Sequence, residues 1–437
     1  MERNQTFNTL FGFLDSAIAL FPDKRTGDNT TYQIRDATLS AFSVFFTQSP
    51  SFLSYQISME QNKGNNNGRT LFGIDTIPCD NQIRSLLDPV PASLVSPVFD
   101  QTFKLLQETQ VVEEFRSFNN DLLIALDGTW YFSSKKLHCD NCLTKKHRNG
   151  TTTYYHSALL PVVVAPGNSR VIPLAPEFIG PQDGNDKQDC ENAAGKRWIN
   201  GKGTEYSNLG VTVLGDDLFS RQPICQLVLD KNLNFIFVCK PSSHKWLSKW
   251  LAAADPVEDL HEFSVTKWTG TERLTYTYQY ANDVPLKEGK DALLVNWPQL
   301  TITNEKGAVT FRNSFVSNHT ITRENVVAFI QAGRTRWKIE NENNNTLKTK
   351  GYHFEHNFGH GEEHLSETLL SLNLLSFLFH TVLETFDNKY CLIRETLPRR
   401  EDFFNDIRAL TRYICFDNWN QLLDFMIRGL ELPDPGG

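Results

Sequence analysis

Two carboxylates stand where apolar runs end. Asp127 follows LLIAL and Asp216 follows VTVLG, and such continuous apolar runs predict strands buried on both faces. An acid at the end of a buried strand emerges at a sheet edge on a fixed backbone. Adjacent strands bring two such acids together whatever their separation in sequence. A third acid, Glu340 in RTRWKIENENNNTLK, lies on a predicted helix that could pack across that edge. The three would form an oxygen cage for Mg²⁺ or Mn²⁺. Magnesium prefers a few carboxylates, waters and substrate phosphate oxygens to a closed protein cage. A pair of such ions activates an attacking water or hydroxyl and stabilises the leaving oxygen in phosphoryl transfer.

The company Glu340 keeps favours that chemistry. Arg336 and Glu340, four apart, share one helix face. An arbitrary Arg/Glu pair at this spacing is a solvated ion pair of little consequence. Here residues 331–350 hold five Lys or Arg against two Glu, so the helix presents net positive charge around a carboxylate. That suits binding a phosphodiester while a metal is held beside it.

Other residues carry separate chemistry. KKLHCDNCLTKKHRNG, residues 135–150, gathers Lys135, Lys136, Lys145, Lys146 and Arg148 around a single Asp, a patch suited to a DNA backbone or to a solvated hairpin tip. Within it Cys139-x-x-Cys142 is half a zinc site, and His147 and His156 are the ligands expected to complete it, with His138 also near. His353, His356, His360 and His364 follow in a Gly-rich stretch that reads as a loop contacting DNA or capping the next helix. PEFIGPQDGNDKQDCE, residues 176–191, is dense in acids and amides. Its Glu191 could support the metals from behind the ligands, or simply start a helix.

The elements that must position these groups follow from pattern. Residues 1–118 read as helical, broken at NKGNNNG, with a short helix carrying Arg84 in an arrangement that fits a helix-turn-helix or a plain bundle. Residues 119–243 read as three strands, helix, strand, helix, strand, which predicts an α/β mixed sheet with helices on both faces. Residues 244–320 hold four alternating, aromatic or β-branched runs, an antiparallel β insertion. Helix returns over 322–348 within a segment spanning 321–385, and 386–437 reads as C-terminal helices.

Composition excludes several classes. The 437 residues, 40% hydrophobic and 22% charged, are those of a folded globular chain, and the net charge of −8 confines any nucleic-acid surface to a local patch. Glu2 and Asp15 argue against a signal peptide. LLSLNLLSFLFHTVL, residues 369–383, is too short to span a bilayer and carries His380, so a buried core helix is expected and no membrane partner. Eight scattered Cys without an export signal predict reduced thiols and a cytoplasmic protein.

Over residues 120–385 these motifs resemble the DDE transposases of bacterial insertion sequences, an RNase H-like family. The similar branch carries its Glu in a Tyr-x-x-Arg-x-x-x-Glu-x6-Lys helix and a β insertion before it. ALDGT and LGDDLF look like the two Asp motifs, and Arg336 to Glu340 fits Arg-x-x-x-Glu. The departures are local. Gly333 stands where the Tyr would fall, Lys348 lies one residue beyond its place, and Leu218 replaces a Gly. Glu342 competes with Glu340, and Asp217 with Asp216. The resemblance implies that Asp127, Asp216 and Glu340 hold two Mg²⁺, that Arg336 and Lys348 grip phosphates near the scissile bond, and that the protein, nucleoid-associated, cleaves transposon ends and joins them to target DNA. It also implies an insertion-domain Trp that stacks on a flipped base, with Trp268 and Trp297 as the candidates, and a homodimer on paired double-stranded DNA ends. The alternatives are a nuclease of this fold that does not join strands, and a zinc-stabilised, non-catalytic DNA-binding descendant.

Overall fold

A computed structural model describes residues 6–26, 30–60, 64–181, 189–255, 259–397 and 399–433. Residues 182–188, within the acid- and amide-rich stretch 176–191, therefore lie outside the described residues. At its centre is a mixed α/β arrangement in which helices flank one long sheet.

The strands are β1 (Leu122–Ser134), β2 (Leu143–Lys146), β3 (Thr152–Val164), β4 (Ile172–Pro173), β5 (Glu177–Ile179), β6 (Val211–Gly215), β7 (Asn234–Val238), β8 (His261–Trp268), β9 (Arg273–Pro285), β10 (Leu294–Thr303) and β11 (Val309–Ser317). Their order is β2-β3-β1-β6-β7-β11-β10-β9-β8, with β4 and β5 paired to β3. β1 runs antiparallel to β3 and parallel to β6, and β6 is parallel to β7. LLIAL and VTVLG are buried throughout, as strands covered on both faces must be.

A polar cluster fixes the starts of the parallel strands. Asp121 Oδ2 accepts from Thr212 Oγ1 at 2.6 Å and from Asn234 Nδ2 at 2.8 Å, and His319 Nε2 lies 2.9 Å from the same Thr212 hydroxyl. These side chains are buried or half-buried, so a slip of one strand would leave partners unmatched in low dielectric. The register at the other end, where Asp127 and Asp216 stand, inherits that precision.

Strands β8–β11 continue the same sheet. β11 pairs with β7 through Phe315↔Val238, Val316↔Phe237 and Ser317↔Ile236. The region expected to open the β insertion begins instead with a helix, Lys245–Ala253. The outermost strand, β8, is exposed along nearly its whole length and carries Glu262 and Lys267, charges that discourage edge-to-edge pairing.

The expected unbroken helix over 322–348 is three pieces. Val326–Arg334 is α-helical, a turn follows at Thr335–Arg336, Ile339–Asn344 is a π-helix, and Asn345–Thr349 closes the segment. The Asn-rich stretch expected as a break enters the helix Gly64–Phe72, residues 62 and 63 lying outside the described residues.

The helices Thr6–Ile18, Ile34–Phe46 and Leu365–Phe386 pack together, and the C-terminal helices Arg400–Tyr413 and Trp419–Gly429 join them. Phe7 stacks on Trp419 at 5.0 Å, and Trp419 Nε1 donates to Leu71 O at 2.8 Å. Residues from both ends of the chain thus share one hydrophobic core with the sheet. Helix Leu365–Phe386 is long and apolar enough to cross a membrane, but 83% of its apolar window is buried inside the fold. Its burial is that of a core helix.

Candidate active site

The ladder between β1 and β6 pairs Ala125 with Leu214. Two residues further along the same register, Asp127 comes level with Asp216; β6 ends at Gly215, but β1 does not end at Asp127 as expected and runs on to Ser134, held by its pairing with β3. The strand pattern that exposed these acids in the sequence is the reason they sit side by side.

Two more acids face Asp127. Glu191 opens the helix Glu191–Tyr206, which packs against β1, β3 and β5, and its Oε1 accepts from the Gly128 N–H at 3.0 Å. A Cβ on residue 128 would stand 2.8 Å from the Glu191 carboxylate, so glycine is what permits this approach. Glu340 lies across the site and is half-exposed, its Oε1 accepting from Arg336 Nη2 at 2.7 Å. Arg336 Nη1 is buried without a hydrogen bond, 3.6 Å from Asp127 Oδ1. The guanidinium therefore spans Asp127 and Glu340. Asn344 Nδ2 reaches Asp127 Oδ2 at 3.4 Å.

The electrostatics follow from this crowding. Burial pushes the Asp127 carboxyl up to about 7; Arg336 pulls it down, and Glu191, Glu340 and Asp216 push it up further. Burial also raises Glu191, with Asp216 adding to the rise while the Gly128 N–H and Arg336 oppose it. A site that disfavours its own negative charge is one that a dication would relieve.

The rival acids fall elsewhere. Asp217 Oδ1 accepts from Lys240 N and Ser243 Oγ, both at 2.6 Å, so it pins the loop after β7. Glu342 lines a different cavity with Arg170, Arg399 and Arg400. Gly333 packs so close to the sheet that a Cβ would meet Phe315 at 2.8 Å, which excludes a tyrosine there. The π-helix accounts for the displaced lysine: one π turn accommodates one residue more than an α turn. Leu347 is thereby fully buried, and Lys348 turns toward β1. There its Nζ pairs with Glu355 at 2.9 Å and borders an open groove lined by Gly128, Thr129, Trp130 and Ser133.

The other cations divide. Arg334 lies over Phe311, Lys338 Nζ donates to Asn168 O at 2.6 Å and Lys350 lines the cavity that holds Glu342, so of the cations on this segment Arg336 and Lys348 are the two beside β1. Lys135, Lys136, Lys145, Lys146 and Arg148 are exposed around β2, Lys145 lying over the Trp130 ring. Arg84 is engaged within the fold, donating to Phe358 O and pairing with Asp80. Trp268 is 63% exposed at the end of β8, whereas Trp297 is 8% exposed. Burial in the sheet removes Trp297 as a stacking platform.

His147 does not join the cysteines; its Nε2 sits 2.8 Å from Thr153 Oγ1. Cys139, Cys142 and His156 gather instead with His360. Among the described residues this is the group of three or more Cys, His or acid side chains whose ligand atoms all lie within 4.8 Å. The carboxylates around Asp127 do not form such a group. Of the remaining His, His353 and His356 are held neutral by burial, and His364 precedes the core helix at its N-cap.

Sequence reasoning missed Asn344 and gave Glu191 only a supporting place; the Gly after Asp127 was the available signal for a close neighbour. Compared with known proteins, the chain matches no family profile and no curated protein.

Proposed function

We propose that the chain is a metal-dependent DNA phosphoryl transferase of the DDE transposase type on an RNase H-like core, cleaving DNA ends and joining them to a target. The observation that carries this reading is the β1–β6 register, which brings Asp127, within β1, level with Asp216, just past the end of β6, with Arg336 spanning Asp127 and Glu340. The donor set fits a hard dication: carboxylate oxygens only, with Asp127 pushed up to about 7 by burial. The acids do not gather within 4.8 Å as a group, so two ions about 4 Å apart would have to share them. Bound Mg²⁺ would supply Lewis acidity and lower the pKa of an attacking water or 3′-hydroxyl.

The chain's own residues do the rest. Asp127, Asp216 and Glu340 hold the metals, and Glu191 lies close enough to the first two to contribute. Arg336 and Lys348 neutralise phosphate oxygens on either side of Asp127. Asn344 orients the Asp127 carboxylate. The groove along β1 leads from Gly128 toward Trp130 and Lys145, and DNA backbone would follow it to the exposed cations around β2. Trp268 remains the exposed candidate for stacking on an extruded base.

The test is incubation of the protein with Mg²⁺ or Mn²⁺ and duplex DNA bearing the inverted repeats that flank its gene. Metal-dependent nicking at the repeat ends, followed by joint molecules with target DNA, is the expected result. Asp127→Ala, Asp216→Ala and Glu340→Ala each abolish both steps while the fold persists. Nicking without joint molecules would identify a nuclease. DNA binding with no metal-dependent chemistry in any variant would overturn the catalytic reading.

A further inference from the structure

We infer that Cys139, Cys142, His156 and His360 form a structural zinc site that ties the β1–β3 hairpin to the loop before the core helix Leu365–Phe386. Nothing in this inference rests on the transferase reading.

The geometry is that of one tetrahedral ion. With Zn–S of about 2.3 Å and Zn–N of about 2.0–2.1 Å, tetrahedral donors stand about 3.8 Å apart for sulfur pairs, about 3.5 Å for sulfur and nitrogen, and about 3.3 Å for nitrogen pairs. Here Cys139 Sγ and Cys142 Sγ are 3.7 Å apart, each lies 3.4 Å from His156 Nε2, and His156 Nε2 lies 3.1 Å from His360 Nδ1. Four side chains from three separate segments converge here, every donor atom within 4.8 Å of the others.

The surroundings are built to hold that geometry. The Cys139-to-Cys142 turn closes with Cys142 N donating to Cys139 O at 3.1 Å, and Cys139 N points at Cys142 Sγ at 3.4 Å, a donor that favours a thiolate. A bulge in β1 between Trp130 and Phe132 re-aims the strand here. Tyr131 stacks on His156, and Phe132 meets the His360 ring edge-on at 4.2 Å. The rings fix both imidazoles with one nitrogen each toward the sulfurs.

Chemistry selects the ion and its role. Two thiolates and two imidazoles suit Zn²⁺. A Rieske two-iron cluster would divide its Cys and His pairs between different irons, whereas all four donors here lie within 4.8 Å of one another. Four protein donors complete a tetrahedron and leave no open position, so the ion is structural.

The link spans 204 residues, from His156 to His360. On its other side the same loop is held by Asp88, which accepts from the backbone N–H groups of Glu362, Glu363, His364 and Leu365. The ion would close the second side, fixing the segment that returns from Lys348 and Glu355 to the core.

The test is elemental analysis of the full-length protein purified without chelator, followed by replacement with Co²⁺. The expected result is about one zinc per chain, released on titration of thiols by a mercurial, and the visible spectrum of tetrahedral Co²⁺ with sulfur-to-cobalt charge transfer. Cys139→Ser and His360→Ala reduce the content to below about a tenth, His360→Cys retains it, and His147→Ala leaves it unchanged. Should the loss variants fail to fold, the cobalt spectrum of the parent and the His147→Ala and His360→Cys contents still decide. A protein that neither contains nor takes up metal, a Cys139–Cys142 disulfide in its place, or zinc lost from His147→Ala but kept in His360→Ala would overturn the inference.

Discussion

At the scale of the residue, the site is governed by a carboxyl that burial makes costly to ionise. Asp127 has an ordinary carboxyl value near 3.8 when unfolded and about 7 when folded. A raised folded value for an acid means that folding takes up a proton, so stability falls as pH climbs from about 4 through 7. In the presence of a chelator, Asp127→Asn should melt a few degrees above the parent at pH 8, and the gain should vanish near pH 4. Added Mg²⁺ should raise the melting temperature of the parent at pH 8 but not that of Asp127→Asn. Calorimetry with and without EDTA reads both effects, and a parent whose stability is flat over this range would show that Asp127 is not buried as described. Gly128 makes a second test. An alanine there places its Cβ against the Glu191 carboxylate and should slow cleavage by about tenfold or more. Because the harm passes through Glu191, Gly128→Ala and Glu191→Gln should combine less than additively. Asp127 and Asp216 were legible in the sequence because each follows a run of buried apolar residues, although β1 itself runs on past Asp127 to Ser134. Glu191 and Asn344 were not, since their nearness to Asp127 depends on how two helices pack across the sheet.

At the scale of the element, the π-helix Ile339–Asn344 reconciles two facts that a regular helix cannot. Glu340 must face Asp127 while Leu347 is buried and Lys348 reaches the groove along β1. A π turn is an α turn with one residue inserted. Deleting the exposed Asn341 should therefore restore a continuous α-helix with Leu347 and Lys348 still in place, and the melting temperature should move by no more than a few degrees. Deleting Ser376 from the buried helix Leu365–Phe386 would instead rotate everything beyond it by about 100° and unfold the protein. Circular dichroism melts of the two deletions give the comparison. In the β8–β11 sheet, Trp297→Ala should cost about 3 kcal/mol or more in urea unfolding as a core truncation. Trp268→Ala should leave stability unchanged and lower affinity for DNA ends. The strands here were legible from alternation and turn residues. Their fusion with the core sheet was not, because three residue pairs between β11 and β7 leave no mark on periodicity.

At the scale of the whole molecule, the sheet and the helices from both ends share one core. Texture along the chain divides it into segments, and nothing local reveals that Phe7 stacks on Trp419 or that Asn67 donates to the carbonyls of Thr411 and Ile414. Removing residues 386–437 should therefore expose the apolar faces of helices near the N-terminus and yield insoluble protein, where a detachable C-terminal unit would leave a soluble remainder. The same arrangement has a consequence for synthesis. The carbonyl of Leu71 receives its hydrogen bond from Trp419, 348 residues later, so at about 5–20 residues per second the early helices wait roughly 20–70 s for the partner that covers them. During that interval the nascent chain carries a bare aromatic surface on the ribosome, and its yield in the cell should depend on holding chaperones more than on the stability of the finished fold.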